Sequence, residues 1–197
     1  MIPPASSSRY PADLTVLRYP APVLRKVAKS VTVFDDALRD FTERMFACMY
    51  ACKGVGLAAP QVGVSERIFI TDHVQRDDRE KHDQRVFINP RLDNGTGEET
   101  YEEGCLSFPG IYAKVTRWNR FDLVYQNEFG KEQRLTLDVN AGDFLGVVTQ
   151  HEYDHLDGKV FVDHLSASQL ILVRRMLRDL EADWKDEHGR DGIVLRR

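Results

Sequence analysis

No stretch of this chain approaches the ~20 consecutive apolar residues needed to span a bilayer, so no membrane partner is expected. Its first residues, MIPPASSSRYPAD, lack the basic stretch and apolar core of a secretory signal. Cysteine is scarce: Cys48, Cys52 and Cys105 are the only three. An odd number at these spacings gives no disulfide framework, and a reducing, cytoplasmic setting follows. A thiol then stays available as a metal ligand. Basic charge is not in excess either. Lys and Arg number 27 against 31 Asp and Glu, a net charge of −4, so the chain has no electrostatic footprint for nucleic acid. Repeats and low-complexity segments are also missing.

What is present is an ordinary globular composition, 42% hydrophobic and 29% charged over 197 residues, which fits one domain. A chain of this length buries roughly 70% of its unfolded surface, so neither disulfides nor a structural metal is required for folding. Residues 1–13 are Pro/Ser-rich and read as a flexible arm, residues 14–185 as a single catalytic domain, and 186–197 as a C-terminal tail. The segment His73–Arg85 is dense in charge without periodicity and reads as a solvated loop with surface histidines.

Leu38, Phe41, Met45, Cys48, Met49 and Cys52 recur at helical spacing and predict a helix from Asp36 to Lys53, stopped at Gly54. Cys48 and Cys52 fall on that apolar stripe and are expected to be buried in the core. Short β-segments are predicted at Arg67–Thr71, Val86–Ile88, Ile111–Trp118 and Phe121–Gln126, the last forming a hairpin with Gln133–Val139. A second helix covers Asp143–Leu156. A third starts at Ser166, with Ser166 and Gln169 as a capping box and Leu165 against Leu170. The fold class is α+β, with mixed or antiparallel sheets around a central helix and flanking N- and C-terminal helices.

That central helix carries His151-Glu152-Tyr153-Asp154-His155. Residues four apart lie one turn above each other, so both imidazoles can reach one ion while Glu152 stands beside it. Phe144, Val147, Val148, His151 and His155 share one stripe, which turns the histidines toward the core. Two buried histidines satisfied by hydrogen bonds would give the same five residues. A hydrolytic site needs a third ligand. Downstream stand Asp163 and His164. Upstream stands Cys105, in Glu103-Gly104-Cys105-Leu106-Ser107, although a lone cysteine is by default a core residue. The slim segment Gly54-Val55-Gly56-Leu57-Ala58-Ala59-Pro60-Gln61 permits close approach of a substrate backbone and offers the Gln61 amide. A helix stop and turn explain its glycines equally well.

GVGLAAPQ, EGCLS and QHEYDHLDG, in this order, resemble the signature segments of peptide deformylases, and LRYPAPVLRKVAKSV and EGCLSFPGIYAKVTR are similar to that family as well. The similarity runs from about Leu14 to Leu165. The resemblance implies removal of the formyl group from N-terminal methionine, with Cys105, His151 and His155 as metal ligands and Glu152 as general acid/base. It further implies Gln61 and the Leu106 N–H as oxyanion donors. Val55, Gly56, Gly104, Phe144, Val147 and Val148 would then contact substrate. The implied metal is Fe²⁺, with Zn²⁺, Ni²⁺ or Co²⁺ able to use the same ligands. The implied partners are N-formyl-methionyl nascent chains, with a transient ribosome contact. Arg117 is expected to brace Asp154. Where the family often has an arginine shortly after EGCLS, this chain has Tyr112. A zincin-type peptidase and a degenerate, non-enzymatic relative are the rival readings.

Overall fold

Alternation of apolar and polar residues builds strands, and in the computed structural model five of them form one antiparallel sheet in the order β1-β2-β3-β4-β5. The structure describes residues 9–74, 81–141 and 143–195. The strands are β1 (Gly56–Ala58), β2 (Ile68–Thr71), β3 (Arg85–Cys105), β4 (Phe108–Gln126) and β5 (Glu132–Asp138). Among the described residues three α-helices accompany them: α1 (Asp36–Ala51), α2 (Phe144–Leu156) and α3 (Ala167–His188). The expected α+β class is therefore observed, with the sheet wholly antiparallel.

The largest departure from the sequence pattern is the β3–β4 hairpin, whose strands run 21 and 19 residues where about five or six is usual. Only its ends carry the apolar alternation that marks a half-buried strand. Residues 96–100 are exposed, and their strand conformation comes from the ladder with β4, in which Glu98 pairs with Trp118 and Thr100 with Thr116. Register shifts at Ile88/Arg91, Asp93/Thr96 and Gly104/Cys105 bend the ribbon. The first two coincide with Asn89 (φ 50°) and Asn94 (φ 56°), the residue type best suited to left-handed backbone after glycine.

α1 is capped by the Asp35 carboxylate, which accepts from Leu38 N–H at 3.0 Å, a contact usually worth about 1 kcal/mol. Leu38, Phe41, Met45 and Met49 are fully buried against Leu57, Ile68, Ile70 and Ile88. The cysteines depart from expectation. Cys48 is only partly buried, at the margin of that cluster, and Cys52 is exposed. The helix ends at Ala51, and Cys52 is its C-cap (φ −90°, ψ 1°), so the helical periodicity no longer carries its side chain inward.

Of residues 1–13, 1–8 lie outside the described residues. Tyr10 is buried, stacked on Phe41 at 4.2 Å between centroids, with its hydroxyl donating to Glu66 at 2.8 Å. In the charged segment, residues 75–80 lie outside the described residues, and His82 bonds Asp72 at 2.7 Å. α3 opens with the expected capping box, Gln169 N–H to Ser166 Oγ at 3.4 Å and Ser166 N–H to Gln169 Oε1 at 2.9 Å. It runs through the proposed tail boundary to His188, with Gly189 as its C-cap, and buries Val173 and Leu177. α2 is the central element. Every residue from Leu145 to Leu156 except Tyr153 is buried, and Leu145 and Leu156 pack with Phe69, Phe87, Phe121, Leu123 and Leu137.

Asn89 ties the first segment to the sheet. Its amide accepts from Val31 N–H (2.8 Å) and donates to Val31 C=O (2.9 Å) and Gln126 (2.7 Å). Asn89→Ala leaves these groups without partners and puts at positive φ a residue that tolerates left-handed backbone less well than asparagine. A loss of about 2–4 kcal/mol is expected, read as a lower urea midpoint at unchanged m-value.

Candidate metal centre

Two structural periods converge on one point. Along β3, residues two apart face the same side, so Glu103 and Cys105 emerge together. The register shift at Gly104/Cys105 falls on β4, where residues 109–111 have no partner, and leaves the alternation of β3 intact up to Cys105 at the tip of the hairpin. Along α2, His151 and His155 project from successive turns with ring centroids 5.3 Å apart. The donor atoms of Cys105, His151 and His155 all lie within 4.8 Å of one another. Cys105 Sγ is 3.3 Å from His155 Nε2.

The surroundings orient these donors. His151 Nδ1 bonds Glu103 Oε2 at 2.9 Å, which leaves Nε2 to face the cysteine. Burial works against a charged His151, yet its interactions with Cys105, Glu103 and Glu152 push its proton affinity well above the ordinary value. The pocket favours a positive charge at this spot. Burial and the neighbouring His151 drive His155 down to about 3, so its imidazole is neutral, as a metal ligand must be. A thiol and two imidazoles with these surroundings fit a divalent transition metal.

Glu152 lies beside the donors rather than among them. Its side chain is buried, and Oε2 has no hydrogen-bond partner. Burial, followed in size by opposing and reinforcing charges, pushes its carboxyl up to about 7. Gly56 makes this placement possible: a β-carbon there would come within 2.5 Å of Glu152 Oε1. Gln61 is buried on the other side. Its carbonyl accepts from Ala58 N–H at 2.8 Å, and its amide donates to Ser107 Oγ at 3.2 Å and Cys105 Sγ at 3.5 Å. The amide thus points at the cysteine, which a simple helix stop and turn would not require.

These groups open into a cleft of about 570 Å³ lined by Val55, Gly56, Gly104, Leu106, Phe144, Val147 and Val148. All the residues expected at the site therefore share one cavity with Gln61, Cys105, His151 and Glu152, while His155 lies beneath them. The Tyr112 ring crosses Gly104, where a β-carbon would approach it to 2.6 Å, and forms part of the cleft wall with Arg18.

Arg117 does more than brace Asp154. It bonds Glu103 through two nitrogens (2.7 and 2.8 Å) and Asp154 through the third (2.6 Å). Glu103 had no role in the sequence reading, although it stands two residues before Cys105 on the same strand face. Ser107 was missed too, since nothing in a lone serine announces a partner 46 residues away in sequence. The downstream ligand candidates go elsewhere. Asp163 pairs with Arg25 at 2.9 Å and accepts from Val160 N–H at 2.9 Å, and His164 bonds Asp154 at 2.7 Å. The geometry of a zincin-type third ligand is absent among the described residues.

Comparison with known proteins agrees with this geometry. Residues 14–170 match the model of the family described as polypeptide deformylase. A peptide deformylase of Chromobacterium violaceum is 43% identical over 170 residues, covering 86% of this chain and 97% of its own. One from Neisseria gonorrhoeae is 45% identical over 155 residues, 79% of this chain and 88% of its own. Among solved structures, a plant peptide deformylase superposes with a TM-score of 0.88 at 30% identity, covering 95% of this chain and 99% of its own. The chain belongs to the polypeptide deformylase family.

The buried ion cluster predicts an acid response. Burial raises carboxyl pKa values, but Arg117 with His151 holds Glu103 down to about 2 from 4.5, and His164 with Arg117 holds Asp154 down to about 2 from 3.8. Depressed carboxyl groups stabilise the fold above their unfolded values, and that contribution is lost as pH falls toward 2. Arg117→Ala should cost about 3–5 kcal/mol at pH 7 by stranding buried charge. It should also flatten the fall in stability between about pH 4.5 and 2, measured by urea unfolding across that window.

Proposed function

We propose that this chain performs its family's reaction, removal of the formyl group from the N-terminal methionine of new polypeptides, with a specific division of labour among these residues. Cys105, His151 and His155 hold one divalent ion, Glu152 moves the proton, and Gln61 with the Leu106 N–H receives negative charge on the formyl oxygen. What supports this reading above all is the meeting of three metal donors with a buried carboxylate whose Oε2 has no partner, at the base of an open cleft.

A bound ion supplies Lewis acidity and a water-derived nucleophile at neutral pH. The residues do the rest. Glu152 accepts a proton from the attacking water as its oxygen bonds to the formyl carbon. A carboxyl with a value near 7 suits that task, because it can take the proton and give it back. When the carbon–nitrogen bond breaks, Glu152 passes the proton to the departing amine, and formate and an intact peptide leave. Gln61 is held by Ala58 and Ser107, so the amide hydrogen turned toward Cys105 is the one that meets the formyl oxygen as charge develops. Val55, Phe144, Val147 and Val148 enclose the methionine side chain, and the backbone near Gly56 and Gly104 receives the extended peptide.

The ion assigned from family membership is Fe²⁺, although zinc, nickel or cobalt suits the same donors. Residues 14–185 form the catalytic domain in this reading, and nascent chains in the cytoplasm are the substrates, met through a transient ribosome contact. Among the described residues no helix is long and apolar enough to cross a membrane, and the three cysteines are free.

Formate release from formyl-Met-Ala tests the reaction. Formyl-Ala-Ala should be slower by roughly 10–200-fold if pocket filling is all that is lost, and acetyl-Met-Ala should be slower still, since its extra methyl must fit beside Gln61 and the ion. Internal cleavage of an unformylated peptide at a comparable rate would point to a peptidase instead.

Two substitutions separate the roles. Cys105→Ala should lose the ion and all activity. Glu152→Gln should keep one ion per chain, by metal analysis, yet lose about 10²–10⁴ in kcat.

A further inference from the structure

The segment that follows α2 supports His151 from two directions. Phe161–His164 forms a single 3₁₀ turn, fixed at its start by Asp163 bonding Val160 N–H and Arg25. Phe161, fully buried, lies against the His151 ring with centroids 6.1 Å apart. His164, three residues on, bonds Asp154 Oδ2 through Nε2 at 2.7 Å. Asp154 Oδ2 also accepts from Arg117 at 2.6 Å. The other two nitrogens of that guanidinium bond Glu103, whose Oε2 bonds His151 Nδ1 at 2.9 Å. Four consecutive contacts thus link a ring that is 33% exposed to a buried imidazole.

We propose that His164 is a positioning residue for the metal centre: its hydrogen bond to Asp154 sets the angle of the Arg117 fork, and through Glu103 the orientation of His151. The guanidinium is planar, and its nitrogens are fixed relative to one another. A shift of Asp154 therefore rotates the whole fork and displaces Glu103 at its other side. Asp154 Oδ2 lies between His164 Nε2 and the Arg117 fork, so the position of the carboxylate is set by both contacts. Without His164, Asp154 Oδ2 keeps a single partner and is free to follow solvent in the cleft of about 390 Å³ that both residues line on the far side of α2. Outer partners of metal-bound histidines typically change affinity or activity 10–100-fold. His164 acts three contacts further out, so an effect on the order of tenfold is expected. The inference rests on the metal-site reading above.

The test uses the full chain as wild type, H164A, H164Q and H164N. Glutamine can place an amide N–H where Nε2 stands, whereas asparagine is too short to do so. Affinity for zinc is measured by competition with a chromophoric chelator, the ligand field by the visible bands of the cobalt form, and kcat and KM with formyl-Met-Ala. H164A and H164N should bind zinc about tenfold more weakly, shift the cobalt bands and lower kcat at unchanged KM. H164Q should restore all three. If alanine impairs folding, the glutamine–asparagine pair carries the comparison. Affinity and spectra of H164N within twofold of wild type would overturn the proposal. So would equal damage in H164Q and H164N, or a loss confined to KM. A wild type that holds no ion at Cys105, His151 and His155 would instead overturn the metal-site reading, and this inference with it.

Discussion

The guanidinium of Arg117, buried between two carboxylates, is the constraint on which the site depends. Desolvating three charges is costly, typically several kcal/mol per ion. The cost is offset because every nitrogen of the fork meets an ionised oxygen at 2.6–2.8 Å. The charges come from three different elements. Glu103 belongs to β3, Arg117 to β4 and Asp154 to α2. Closing the cluster fixes the hairpin against the helix, and Cys105 and His151 are each within three residues of one of its carboxylates. Gln150 adds a neutral version of the same tie, accepting from Trp118 N–H at 2.9 Å and donating to Trp118 C=O at 3.1 Å.

Burial then sets opposite electrostatic characters within one helical turn. Burial opposes charge on both rings; at His151 the contacts with Cys105 and Glu103 override it, whereas at His155 burial and the neighbouring His151 hold the ring neutral. Glu152 loses solvent without gaining a hydrogen-bond partner at Oε2. That destabilises its charged form and moves the carboxyl toward neutrality. A group in that condition is poorly suited to hold a fold together and well suited to exchange protons. The division is spatial: the satisfied carboxylates Glu103 and Asp154 serve structure, and the unsatisfied one faces the cleft.

Much of this was legible in the sequence, and the unread parts share a physical cause. The helix bearing His151 and His155 announces itself because its apolar stripe and its ligands have the same period. Cys105 and Gln61 stood in the sequence only as candidates, since a lone cysteine or glutamine carries no period, and resemblance to a family gave them roles. Glu103 and Ser107 were silent, and His164 stood out only as a ligand candidate, because their contacts reach across 10 to 48 residues of sequence. The middle of β3 was silent for a different reason. Its residues 96–100 face solvent, and what makes them a strand is the backbone ladder to β4 rather than any pattern of burial. Cys52 misled because helical periodicity was carried one residue past the helix end.

The path of the chain after α2 explains why a helix with this histidine pattern need not belong to a peptidase of the zincin kind. There the segment following the helix would supply the third ligand. Here Gly158, at φ 68°, turns the chain away, with a β-carbon clashing against Arg25 backbone at 2.9 Å. Phe161, Asp163 and His164 are then used as packing, cap and hydrogen-bond partner behind the helix. The vacant ligand direction is filled from the opposite side by the hairpin tip. A ligand on a strand brings strand backbone with it, and Gly104 and Leu106 therefore border the donors. The cleft consequently runs past the backbone of the hairpin tip, with Gly56 of β1 opposite and Gln61 and Glu152 in its wall.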